Sequence, residues 1–176
     1  TGTVAGLAEP QTSVRYQINL NKPDQILVNG AGLGVDYAFP RGFRLSTNYT
    51  YQVGRDKTTG KKLSDPEVTA KGRNFFNSPE HRTNVTLSNS RLTDRLGFAA
   101  TWRWQDRTWW EQGFAGDAWI PAFHTFDAQL SYRLPALKST VKVGGSNLLN
   151  RYYRQGYGLP QVGGVYYASV VLDGLL

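Results

Sequence analysis

Apolar side chains recur at every second position through most of this chain, and the stretches that carry them are joined by connections that are alternately short and long. Between residues 96 and 105, Leu96, Phe98, Ala100, Trp102 and Trp104 fall on one face of an extended strand, and Gly97, Ala99, Thr101, Arg103 and Gln105 on the other. Leu33, Val35, Tyr37 and Phe39 repeat the pattern, as do Phe43, Leu45, Tyr49 and Tyr51, then Phe126, Ala128, Leu130 and Tyr132. The last stretch, with Tyr166, Ala168, Val170 and Leu172 on one side and Tyr167, Ser169, Val171 and Asp173 on the other, ends almost at the C-terminus. A period of two predicts strands with one face in an apolar medium and one in a polar medium.

The connections say which medium. They are short near Pro40, Arg91 and Pro135, and long over 54–80, 107–121 and 150–163. Loops of that length argue against strands in a compact soluble domain. They are the expected counterpart of short turns in a membrane barrel, where one rim carries turns and the other carries loops. The fold class this predicts is all-β: an antiparallel transmembrane β-barrel segment of about seven strands. Residues 1–25 are expected to be an extracellular loop or lead-in segment containing one short alternating piece, Val14 to Leu20. Residues 26–176 are expected to be barrel strands, with the three long loops extracellular. An odd strand number leaves the two ends on opposite sides of the membrane, and an open sheet edge cannot face lipid. The barrel is therefore expected to need further strands, from the same polypeptide or another chain. If Val14 to Leu20 is an eighth strand, the alternative is a self-contained small barrel acting as adhesin, anchor or translocator. A soluble β-sandwich is a third reading, and it does not explain why the long loops all fall at one end.

Composition fits the membrane reading once its bias is understood. A mean hydropathy of -0.44 and a hydrophobic share of 40% resemble a soluble protein, but barrel strands carry apolar residues singly. No run of eighteen apolar residues is present, so a transmembrane helix is not predicted. Cysteine is absent and only His81 and His124 could offer imidazole, so neither a cofactor nor a metal centre is expected. The net charge of +7 comes from scattered basic residues, without the stripe or module that would indicate nucleic acid. No catalytic residues are predicted: His124 and Asp127 are three apart and so point to opposite faces of a strand. Gly30 to Gly34 and Gly144-Gly145 lack the Lys-Ser/Thr continuation of a phosphate loop and read as strand glycines that relieve crowding.

The residues that could meet a ligand are the rings and guanidinium groups of the long loops. Arg107, Trp109, Trp110, Arg151 and Tyr153 form the predicted ligand-binding set, with interfacial anchoring as the competing role for the rings. Arg44, Asn48, Arg103, Asp127, Arg133 and Lys142 alternate with the apolar positions and are expected to line a hydrated or plugged interior.

Several motifs resemble one family. Val143-Gly144-Gly145-Ser146-Asn147-Leu148-Leu149-Asn150-Arg151-Tyr152-Tyr153, followed by Gly156-Tyr157-Gly158-Leu159-Pro160 and Gly163-Gly164-Val165-Tyr166-Tyr167, resembles the C-terminal hairpin of TonB-dependent outer-membrane transporters. Ser78-Pro79-Glu80-His81-Arg82-Thr83-Asn84 and Phe126-Asp127-Ala128 after Pro121 are similar to strand starts in that family. The resemblance implies the final strands of a barrel of about 22 strands, located in the cell outer membrane. It also implies a role in active import of a scarce nutrient such as a ferric chelate, an oligosaccharide or a peptide. The implied partners are upstream barrel strands and a plug, the TonB system acting through that plug, outer-membrane lipid and, in some members, a surface lipoprotein cap; nucleic acid is not among them. One departure stands out: the chain closes on Leu176, in phase with Leu172, where the family commonly has an aromatic residue.

Overall fold

The computed structural model describes residues 25–112 and 116–172. These contain the strands β1 (Ile26–Ala38), β2 (Phe43–Asp56), β3 (His81–Asn89), β4 (Leu96–Gln105), β5 (Thr108–Trp110), β6 (Ala118–Ile120), β7 (Phe123–Leu134), β8 (Ser139–Ser146) and β9 (Val165–Leu172), with one short helix, α1 (Pro66–Thr69). Seven strands form one antiparallel sheet in the order β1-β2-β3-β4-β7-β8-β9, and β5 pairs with β6 as a separate hairpin. The sheet is a meander with one excursion, as expected of a barrel segment. It is not closed: β1 and β9 are its two edges, and every residue of both is exposed. The expected piece Val14 to Leu20, and Asp173 and Leu176, lie outside the described residues.

A single register runs across the sheet and keeps the two kinds of side chain apart. One cross-strand row reads Tyr37, Leu45, Leu87, Ala100, Ala128, Gly145 and Tyr166; another reads Val35, Thr47, Val85, Trp102 and Phe126. The neighbouring rows of the opposite face carry Asp36, Ser46, Thr86, Thr101 and Asp127, and Gly34, Asn48, Asn84, Arg103 and Thr125. A slip of one residue in β1, β2, β3, β4, β7 or β8 would put a charge into the apolar rows. The apolar face has no covering layer among the described residues: Leu33, Leu130 and Val170 are 67%, 51% and 63% exposed. A patch this continuous marks a surface that meets lipid or a partner.

The two ends of the sheet are built differently. At the short-turn end, Pro40–Gly42 reverses the chain with Arg41 at φ 63 and Gly42 at φ 80. The buried Asn89 locks this turn to the next one, its amide donating to the Arg41 carbonyl (3.0 Å) and its oxygen accepting from the Arg91 N–H (2.8 Å). Pro135–Leu137 forms the third turn, closed by Lys138 in the left-handed conformation.

At the long-loop end the expected boundaries move. The loop expected from Gly54 begins only after Asp56, because β2 stays paired with β1 as far as Ile26↔Asp56 although its last partner on β3 is Tyr51↔His81. That loop also holds α1, whose first turn is capped by the Asp65 carboxylate accepting from the Glu67 N–H (3.0 Å), with Pro66 at the first helical position. The loop expected over 107–121 contains the β5–β6 hairpin, in which Trp109 sits opposite Trp119. The buried hydrophobic side chains among the described residues, Val53, Leu63, Val68 and Ile120, all gather at this end.

Candidate functional site

The polar face of the sheet is held by pairs that span neighbouring strands. Arg103 pairs with Asp127 (2.6 Å) and Arg44 with Asp36 (3.3 Å). Asn84 donates to Asn48 (2.9 Å), and Thr86 shares a hydrogen bond with Thr101 (2.9 Å). The Tyr167 hydroxyl donates to Gln129 (2.8 Å) across β8, passing over Gly144. A Cβ at Gly144 would lie 2.8 Å from that hydroxyl and 2.6 Å from the Ala128 carbonyl oxygen, so only glycine lets the ring lie there.

Where this face meets the long loops it forms a recess of about 410 Å³. Arg82, Arg103 and Gln105 of β3 and β4 line it together with Phe123 of β7 and the loop rings Trp110 and Tyr153. The aromatic part is preorganised. Tyr153 stacks on Phe123 with ring centroids 4.2 Å apart, and its backbone pairs with Val162. Trp110 lies on Gly156 of the last loop, where a Cβ would come within 2.7 Å of the indole.

The Asn147 to Asn150 turn fixes that last loop. Asn147 and Asn150 adopt left-handed backbone conformations (φ 51 and 47), which asparagine tolerates better than most residues. Asn147 is buried; its N–H donates to Asp127 (2.8 Å), its amide donates to the Arg151 carbonyl (2.8 Å), and its oxygen accepts from the Arg151 N–H (3.1 Å). Asn150 accepts from the Gly164 N–H (2.8 Å), so the loop is clasped where it starts and where it returns to β9. Asp127 therefore joins the Arg103 of the recess to the turn that carries Tyr153.

The five ligand-binding residues expected from sequence do not converge. Trp110 and Tyr153 share the recess. Arg107 lies on the far side of the hairpin with its guanidinium 4.6 Å from the Trp119 ring, and Trp109 meets the same ring edge-on at 5.5 Å. Arg151 contacts His124, on the apolar side of the sheet. His124 and Asp127 share no contact, since Asp127 is engaged by Arg103 and Asn147. Among the described residues no group of three His, Asp or Glu could hold a metal ion.

Sequence reasoning missed the residues that hold the loops together. Glu111 is buried; one carboxylate oxygen accepts from the backbone N–H groups of Asn74 and Phe75 (both 2.5 Å) and the other from the Trp109 indole (3.3 Å). Its backbone exchanges a pair of hydrogen bonds with the Asn77 side chain (2.7 and 2.9 Å). Arg73 grips both oxygens of Asp117 (2.7 and 2.9 Å), and Asp117 also accepts from the Gln112 N–H (3.0 Å). The first two long loops are thus one polar-stitched unit. At the outer tip of β2, hydrogen bonds from Thr59 to the Asp56 carboxylate hold its pKa below the ordinary value of 3.8. The signal available in sequence was an acid amid loop aromatics, which carries no periodicity.

The TonB dependent receptor-like, beta-barrel family model matches residues 3–148. The ferric-catecholate import receptor Fiu of E. coli K12, in its closed form, is similar over 92% of this chain and 22% of its own, with 18% identity and a TM-score of 0.66. The siderophore receptor PiuA of Acinetobacter baumannii is similar over 84% of this chain and 21% of its own (18% identity, TM-score 0.59). The ferripyoverdine receptor of the Pseudomonas aeruginosa outer membrane is similar over 84% and 20% (17% identity, TM-score 0.61). At such identities these likenesses speak to fold, and the chain spans about a fifth of each receptor. No curated protein sequence matches the chain. The match to the family model over most of the chain, together with a seven-stranded meander that the solved receptor barrels share, shows that the chain belongs to the TonB-dependent receptor β-barrel family.

Proposed function

We propose that this chain forms part of the wall of a TonB-dependent importer in the outer membrane, with the apolar face toward lipid, the polar face toward a plugged interior and the long-loop end outside the cell. The observation that carries the reading is the single register: it puts the apolar side chains on one surface and the arginine-bearing recess on the other. β1 and β9 then pair with further strands of the barrel, since lipid cannot satisfy their free backbone groups. TonB would act through a plug contributed by another part of the receptor. The recess, lined by Arg82 and Arg103 together with Trp110, Phe123 and Tyr153, suits a bulky anionic chelate with flat groups, because guanidinium forks bind oxyanions and rings supply rigid contact area. Ferric chelates are the substrate class this chemistry favours over neutral sugars.

Uptake tests the reading. Cells carrying the receptor, starved of iron, are offered radioactive iron as catecholate, hydroxamate and citrate complexes, with and without a working TonB system. TonB-dependent uptake of at least one complex is expected, and replacing both Arg82 and Arg103 with Gln is expected to lower it about tenfold or more, as loss of charge-assisted contacts does. Uptake of no ferric complex, alongside binding of an oligosaccharide, would transfer the substrate to another class.

A further inference from the structure

We infer that Arg151 and His124 form a phosphate site on the outer rim of the lipid-facing surface, occupied by the phosphate of an anionic lipid head group. This rests on the reading that the apolar face meets lipid. His124 stands in register with Trp104 near the long-loop end of that face, in phase with Phe126, Ala128, Leu130 and Tyr132. Arg151 reaches it from the turn after β8: its Nη1 lies 3.2 Å from Nδ1 and 3.4 Å from Nε2 of the ring.

Three features make this pair an anion site in place of an internal contact. Guanidinium only donates, and an imidazole can accept from it at one nitrogen at most, so most of the Arg151 donors stay open. Among the described residues no carboxylate lies within ion-pair distance of Arg151, whereas Asp127 and Asp36 each engage one guanidinium nitrogen of Arg103 and Arg44 on the opposite face. The Arg151 backbone is clamped on both sides by the Asn147 side chain, so the long side chain starts from a fixed point and less freedom is lost on binding.

The surroundings say where the anion comes from. Tyr152 and Tyr166 are 64% and 62% exposed, and the Tyr166 hydroxyl donates to the Leu148 carbonyl beside the turn. Rings with a polar tip, flanking a cation at the end of an apolar sheet face, match the boundary between hydrocarbon and head groups. The recess on the other face does not include Arg151, so the imported ligand is not the occupant.

The test uses the complete receptor in detergent, with bis-phosphorylated lipid A added and bound lipid counted by native mass spectrometry. Wild type is expected to retain the lipid, Arg151→Gln to reduce retention about fivefold, the share of one cation at a charged membrane surface, and His124→Ala to reduce it by a smaller factor. Fully dephosphorylated lipid A should bind wild type and variants alike. Equal retention of bis-phosphorylated lipid by wild type and Arg151→Gln would overturn the site, and full competition by millimolar inorganic phosphate would reassign it to a free anion. An environment-sensitive fluorophore on Leu130→Cys separates this failure from that of the parent reading. A water-like signal in vesicles removes the lipid-facing surface itself, whereas a lipid-like signal without an Arg151 effect removes the phosphate site alone.

Discussion

The sheet and the loops at its long end solve opposite problems. In the sheet, Leu33, Leu130 and Val170 stand exposed, and no second layer covers them. In the loop end, Val68 and Glu111 are almost wholly enclosed, 1% and 3% exposed, within a small core with its own hairpin and helix. The sheet leaves its apolar face to be covered from outside, by lipid in the function proposed above. The loop end buries its own apolar groups and stitches them with charge-assisted hydrogen bonds, which depend on water only at the edges. One chain thus contains a membrane protein and the beginnings of a soluble one, joined where β2 outruns β3.

The largest test of that contrast is Leu130→Arg. Leu130 lies between Phe98 and Val143 on the apolar face. If lipid covers it, an arginine there costs about 2–4 kcal/mol near the midplane. Folding into vesicles followed by urea titration should show a loss of that size for the assembled barrel. The matching change on the polar face, Gln129→Arg, removes only the acceptor of the Tyr167 hydroxyl and should cost about 1 kcal/mol, the net value of one hydrogen bond. Equal effects on the two faces would erase the distinction between them.

Glu111 probes the other half. Glu111→Ala strips the acceptor from the Asn74 and Phe75 N–H groups and from the Trp109 indole in a closed site. Leaving buried donors unpaired costs about 1–3 kcal/mol. The loss should be confined to the loops: amide exchange should quicken over 73–80, 108–112 and 116–120 and remain unchanged in β3 and β4. Quickened exchange throughout the sheet would mean that the loop end braces the barrel and is not a separate unit.

The same contrast explains what could be read from sequence. Strand positions announce themselves because one chemical choice repeats every second residue over ten or so positions, as in Leu96–Gln105, whose ends the structure reproduces. Asn147 could be singled out as a break but not explained, since its partners Asp127 and Arg151 lie 20 and 4 residues away. Glu111 and Arg73 gave no warning: apart from the Trp109 indole two residues from Glu111, the loop partners described above are 34 to 44 residues distant, and nothing in a loop repeats. The ligand set failed to converge for a related reason. Trp109 and Trp110 are adjacent in sequence, but on a strand adjacent residues point to opposite sides, and the hairpin turns one toward Trp119 and the other toward the recess.

The smallest effect concerns the joint between the two regions. Asp56, the last residue of β2, accepts from both the backbone N–H (2.8 Å) and the hydroxyl (3.0 Å) of Thr59, and those bonds are the main cause of its lowered pKa. A carboxylate whose folded pKa is depressed adds stability that is present above its unfolded value and lost as pH falls through the folded one. The turn should therefore be fully held above the ordinary value of 3.8 and loosen only below it. Exchange at the Thr59 and Gly60 amides, corrected for intrinsic rate, should stay constant from neutral pH down to that value and then rise, while β1 and β2 amides nearer the short turn do not respond. Asp56→Asn keeps an acceptor but not the charge, so its exchange should be slightly faster and independent of pH across the same range. If wild type were equally flat, the joint would owe nothing to the ionised carboxylate, and the loop end would begin at the Leu63 and Val68 core instead of at the strand tip.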